Sequence, residues 1–122
     1  MSFPVIHNFD HYYKDTLEFL LVPRNRDGSL FDLTDFEATA NIASDRRGPD
    51  NPTAAPDLTP QKAEIRNGKV AVAFDTINLD QPEDWTTPWV YDVQIKTKVG
   101  VSPPRTHTLI TGNLSVMGDV SP

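Results

Sequence analysis

Two alternating runs, Lys62-Ala63-Glu64-Ile65-Arg66 and Val70-Ala71-Val72-Ala73-Phe74, lie on either side of Asn67-Gly68. Apolar residues at every second position suit a strand with one buried face, because successive side chains of a strand point to opposite sides. Asn-Gly between such runs suits a two-residue type I′ turn, in which both central residues take positive φ. A β-hairpin is therefore predicted here, and it sets the tone for the whole chain.

Alternation recurs elsewhere. Phe36, Ala38, Ala40 and Ile42 share one parity, with Glu37, Thr39 and Asn41 on the other. In residues 89–99, Trp89, Tyr91, Val93, Ile95 and Val99 face one way, while Asp92, Gln94, Lys96 and Lys98 face the other. A turn follows at residues 100–104. Residues 106–110 and 114–117 give a final strand, with a bulge or bend expected near Gly112. Residues 16–22 read as a strand stopped by Pro23, and residues 5–9 as a weaker one. No segment combines a 3.6-residue period with caps. About seven short strands with Gly, Pro, Asn and Asp between them predict an all-β fold, an antiparallel two-sheet β-sandwich of immunoglobulin-like type. The predicted organisation is an N-terminal arm at residues 1–13 and a single domain over residues 14–122. Residues 44–60 carry four prolines and few large apolar residues, and read as a long exposed loop.

Composition narrows the function. The net charge of −6 argues against nucleic acid or an anionic membrane as partner. No apolar run approaches the roughly 18 residues needed to span a bilayer, and MSFPVIHNFDHYY lacks a basic region leading into an apolar one. The chain thus reads as cytosolic when made, without a signal peptide. It has no cysteine, so disulfides, thiolate metal sites and a cysteine nucleophile are excluded.

Candidate chemistry is sparse. Setting Gly28 at position 6 of an EF-hand loop puts Pro23 at position 1 and Thr34 at position 12, so the first and last ligands are missing. Asp27-Gly28 reads as a turn between strands. His7 and His11 have the spacing of a helical zinc pair, but in a strand they would sit roughly 13 Å apart. They read as surface or subunit-contact residues, and His107 lies between Thr106 and Thr108 in the last strand. No serine stands in a Gly-x-Ser-x-Gly elbow. Asp84 beside Trp85 and Trp89 is the nearest approach to a glycosidase-like grouping, and packing explains those tryptophans better. No catalytic residue, metal site or cofactor is predicted, and the chain reads as a non-enzyme.

Strand, then Asp27-Gly28-x-x-x-Asp32-Leu33-Thr34, then an alternating strand, resembles the opening of small β-sandwich modules in tail and baseplate proteins of tailed bacteriophages. Trp89-Val90-Tyr91-Asp92-Val93-Gln94-Ile95 is similar to that family's aromatic-x-Tyr-Asp-hydrophobic-Gln strand. Gly112-Asn113-Leu114-Ser115-Val116, followed by Asp119-Val120-Ser121, is similar to its closing pattern. The likeness covers residues 14–121. An extra residue, Phe31, stands before Asp32, Ala43 replaces the Ile-Arg usual after the strand at Ile42, and the proline-rich stretch at residues 44–60 is atypical. The resemblance implies a baseplate-adaptor-like sandwich that serves as a non-catalytic virion subunit, a minor tail or baseplate component assembled in the host cytoplasm. Its implied partners are other virion proteins and copies of itself, in a ring or trimer, with no cofactor.

Alternatives are a capsid decoration or head-fibre protein, and a carbohydrate-binding module that meets a host-surface glycan on Trp85, Trp89 and Tyr91. For the assembly reading, contacts are predicted in two places. The N-terminal segment supplies Phe3, Val5, Ile6, Phe9, Tyr12 and Tyr13, since aromatics at an exposed terminus need something to pack on. The proline-stiffened loop supplies Arg46, Arg47, Pro49 and Pro52.

Overall fold

A computed structural model describes residues 5–12, 16–44, 58–75 and 89–117, with backbone only at residues 11, 12, 116 and 117. Its regular structure is entirely β. Eight strands are formed: β1 Val5–Ile6, β2 Phe9–Tyr12, β3 Thr16–Leu21, β4 Phe36–Ala43, β5 Thr59–Arg66, β6 Lys69–Asp75, β7 Trp89–Thr97 and β8 Thr106–Met117. They follow the order β1-β8-β7-β4-β5-β6-β3, with β2 also on β8. The all-β expectation holds. In place of about seven strands in two sheets, the described residues form eight strands in one open, curled sheet, a half-barrel.

The curl has a visible cause in β5. Its first residues pair with β4, Gln61 opposite Ala40, whereas Lys62 to Arg66 pair with β6. A strand shared in this way turns the sheet from one wall into the next. The alternation then places the core inside the curl. Phe36, Ala40 and Ile42 of β4, Val70, Val72 and Phe74 of β6, and Trp89, Tyr91, Val93 and Ile95 of β7 are all buried. Intervening residues such as Glu37, Lys62, Glu64 and Lys96 point outward.

The β5–β6 hairpin matches its sequence reading. Asn67 has φ of 51° and Gly68 of 75°, and Arg66 pairs with Lys69 across the turn. Other expectations need correction. β5 begins at Thr59, so residues 59 and 60, assigned to the long loop, are already strand; residues 45–57 lie outside the described residues. Val99 lies in the turn after β7 and is fully exposed, instead of sharing the inward face. β8 is continuous through Gly112. The irregularity falls between Val93 and Gln94, which pair with Ile110 and Thr108, leaving Leu109 as the extra residue of a bulge. The bulge turns Leu109 and Ile110 both inward, so two consecutive residues are buried where strict alternation allows one.

The largest departure is at the N-terminus. Residues 5–12 are not a free arm. β1 and β2 lie parallel to β8, Val5 beside Ile110 and Phe9 beside Leu114, and add an edge strand to the sheet.

Candidate interaction surfaces

The seam between the N-terminal strand and β8 is built around a missing side chain. A Cβ on Gly112 would lie 2.0 Å from the His7 carbonyl oxygen and 2.7 Å from its carbon. Only glycine admits backbone this close. The space is used for a polar exchange. The His7 N–H donates to the Thr111 carbonyl at 3.0 Å, and the next ladder position is then broken. The His7 carbonyl instead turns to accept a hydrogen bond from the Tyr91 hydroxyl at 2.5 Å, and the Asn113 N–H donates to Asn8 Oδ1 at 3.0 Å. Asn8 thus supplies with its side chain the acceptor that the turned backbone withholds. Tyr91, directly opposite Gly112 across β7 and β8, reaches over the glycine to do this. A buried hydroxyl left without a partner is costly, so the exchange stabilises both residues.

Behind the seam, four aromatic rings meet. Phe9 stacks on Phe19 at 5.3 Å and tilts against Tyr91 at 5.4 Å; Phe74 stands edge-on to both Phe19, at 5.4 Å, and Tyr91, at 5.3 Å. Phe9 belongs to β2, which lies on β8 as β1 does, and Phe19 to β3 at the other end of the sheet path. The curl therefore brings its two ends together through side chains.

These contacts revise the predicted surface residues. Phe9, offered as an interface aromatic, is half-buried against the core. Val5 and Ile6 are exposed, Ile6 at 78%. Tyr12 lies in β2 with its side chain undescribed, and Phe3, Tyr13, Arg46, Arg47, Pro49 and Pro52 lie outside the described residues. The glycan platform loses two of its three members, since Trp89 is 8% and Tyr91 1% exposed. Both are core residues because inward parity along β7 leaves them no other side. Trp85 and Asp84 lie outside the described residues.

Gly28 sits in a three-residue hairpin loop. The Gly28 N–H donates to the Asn25 carbonyl at 2.9 Å and the Asn25 N–H to the Ser29 carbonyl at 2.8 Å, with Gly28 at φ of 90°. This is a type I turn closed by a left-handed glycine. Asp27 Oδ1 accepts from the Ser29 N–H and hydroxyl at 2.9 and 2.6 Å. Asp32 Oδ1 accepts from the Thr34 N–H and hydroxyl at 3.0 and 2.5 Å. These hydroxyl and N–H donors hold both carboxyls below their usual value of 3.8. The acidic segment is thus a pair of side-chain-capped turns. Among the described residues, no group of three or more histidines and carboxylates is placed to hold a metal ion. His7 is exposed with its ring edge-on to Phe9 at 4.5 Å, and the half-buried His107 ring stands edge-on to Phe31 at 5.8 Å.

Of the exposed large apolar side chains among the described residues, Val5 and Ile6 on β1, Leu20 on β3, and Val22 and Leu30 after β3 lie at the sheet's ends, while Leu58 precedes β5 and Val99 lies in the turn after β7. Compared with known proteins, the chain matches no family model and no curated protein.

Proposed function

We propose that the protein is a non-catalytic structural subunit of a bacteriophage virion, a minor tail or baseplate adaptor that works through contacts with other virion proteins and with copies of itself. The observation that carries this reading is the placement of Val5, Ile6, Leu20 and Leu30 along the two terminal strands and their flanks. Edge strands offer unpaired backbone groups, and apolar side chains beside them favour strand addition by another chain. The resemblance of the chain's strand and turn patterns to those of tail and baseplate modules supplies the virion context. In the same reading a ring or trimer joins one subunit's exposed Val5 and Ile6 to the next subunit's Leu20 and Leu30, outside the Phe9–Phe19 contact, a head-to-tail contact that closes by rotation.

The test is the composition of purified particles. The chain should be recovered at a fixed copy number, in the tail fraction after heads and tails are separated. Recovery with heads would move it to the decoration or head-fibre alternative, and absence from particles would overturn the virion reading altogether.

A further inference from the structure

The wall formed by β5, β6 and β3 has a second, outward face, which shares β3 and Leu20 with one of the edges invoked above. A shallow open trough of about 1150 Å³ runs along it. Register places the outward residues in rows. Lys62, Ala73 and Glu18 share one row, and Glu64, Ala71 and Leu20 the next. Arg66 and Lys69 pair on one side of these rows, and Asp75 and Thr16 on the other. Two alanines therefore floor the trough, between longer side chains on β5 and β3. Leu20 is 63% exposed, an apolar side chain that lacks cover in the monomer.

The order of charges decides what can cover this face. Two identical sheets can stack face to face about a two-fold axis lying between them. If that axis ran along the strands, each row would meet itself. With the axis on β6, Lys62 would face Glu18, but Asp75 would face Asp75 and Lys69 would face Lys69, an unfavourable pairing of like charges at the centre of the contact. If it runs across the strands between the two central rows, each row meets its neighbour. Lys62 of one copy then faces Glu64 of the other, whose Oε1 also accepts from Arg66 of its own chain, Asp75 faces Lys69, and Ala73 faces Ala71, each contact occurring twice. Glu18 of one copy faces Leu20 of the other at the β3 rim, where its methylenes lie on the leucine and its carboxylate reaches water. No like charges are opposed.

We infer that this face is a self-complementary interface, through which two copies of the chain stack antiparallel about a two-fold axis crossing β5, β6 and β3. The alanine floor lets the sheets approach, and the alternating charges set the register. With the ten outward residues of these rows per copy, the contact lies below the usual ~20 to 30 and predicts micromolar rather than nanomolar pairing. It does not depend on the virion reading, although Leu20 of β3 takes part in both.

Analytical ultracentrifugation tests it. The wild-type chain should sediment as a dimer at about 100 µM and dissociate on dilution through the micromolar range. Lys62→Glu sets a second carboxylate against Glu64 at both contacts, and Glu64→Lys sets a second ammonium against Lys62 at both. Each variant alone should therefore dimerise at least about tenfold more weakly. An equimolar mixture of the two variants opposes carboxylate to ammonium at both contacts and should regain wild-type pairing. Both sites are exposed, so folding is kept, and circular dichroism verifies it. Ala73→Arg, which fills the floor, should also give monomers. A wild-type chain that stays monomeric at about 100 µM would overturn the inference. So would single variants that still pair, a mixture that fails to pair, or an Ala73→Arg variant that dimerises normally.

Discussion

The β5–β6 hairpin and the N-terminal seam each turn on one glycine, and the two glycines do opposite things. Gly68 has open space where a Cβ would stand, but its φ of 75° is one that side-chain-bearing residues avoid. Gly112 has no positive φ, but its Cβ position is occupied by the His7 carbonyl. The first requirement is local: it involves a dipeptide and its flanking alternation. The second is made by residues about a hundred positions away in sequence. Local conformational needs leave a signature in neighbouring residues, whereas close approach leaves only an unexplained glycine in a strand.

Substitutions separate the two regions. The largest effect is expected at Gly112→Ala. The methyl group meets backbone, which unlike a flexible side chain has nowhere to swing, so β1 and β2 must leave β8. With them go the Phe9 packing and the Tyr91 hydrogen bond, a loss of about 3 kcal/mol or more in chemical unfolding. Phe9→Ala comes next. A half-buried ring touching Phe19 and Tyr91 should cost about 2–3 kcal/mol, below the range for fully buried phenylalanine. A change under about 0.5 kcal/mol would return Phe9 to the surface role first assigned to it.

Gly68→Val should destabilise by more than about 1 kcal/mol through backbone strain alone, leaving the N-terminal strand in place. Tyr91→Phe removes one hydroxyl from the seam without changing the ring packing, and should cost about 1 kcal/mol. The smallest effect concerns pH. Asp27 and Asp32 titrate below 3.8 in the folded chain, so their stabilising contribution is complete above that value and is lost as pH falls through the lowered one. Asp32→Asn should therefore reduce the acid sensitivity of unfolding below pH 4 and leave stability at pH 7 little changed in slope. An identical acid limb in the variant would contradict that assignment.

Most of the sheet was legible because inward parity is written into each strand. Phe36 to Ile42, Val70 to Phe74 and Trp89 to Ile95 alternate as half-buried strands must, and they are the walls of the core. Closure was not legible. The shift of β5 from β4 to β6 happens between Gln61 and Lys62, with no residue type that marks it. The bulge at Leu109 breaks parity by one residue in a run that reads as regular. The N-terminal aromatics look surplus to a finished domain from sequence, because nothing local says that Phe9 meets Phe19 across the curl. Gly112 is the available clue: an isolated glycine in a strand pattern signals a bulge or a close approach, and nothing in its neighbours tells the two apart.

Whether residues 5–12 are an integral strand is tested most directly by amide hydrogen exchange, residue by residue, in the wild-type chain and in Gly112→Ala. In the wild type, the β2 amides that bond to β8 should be protected about as well as other edge-strand amides. In Gly112→Ala that protection and the protection of the His7 amide should be lost, while the β5–β6 hairpin keeps its own. Unprotected β2 amides in the wild type, or protection that survives the added methyl group, would contradict the seam.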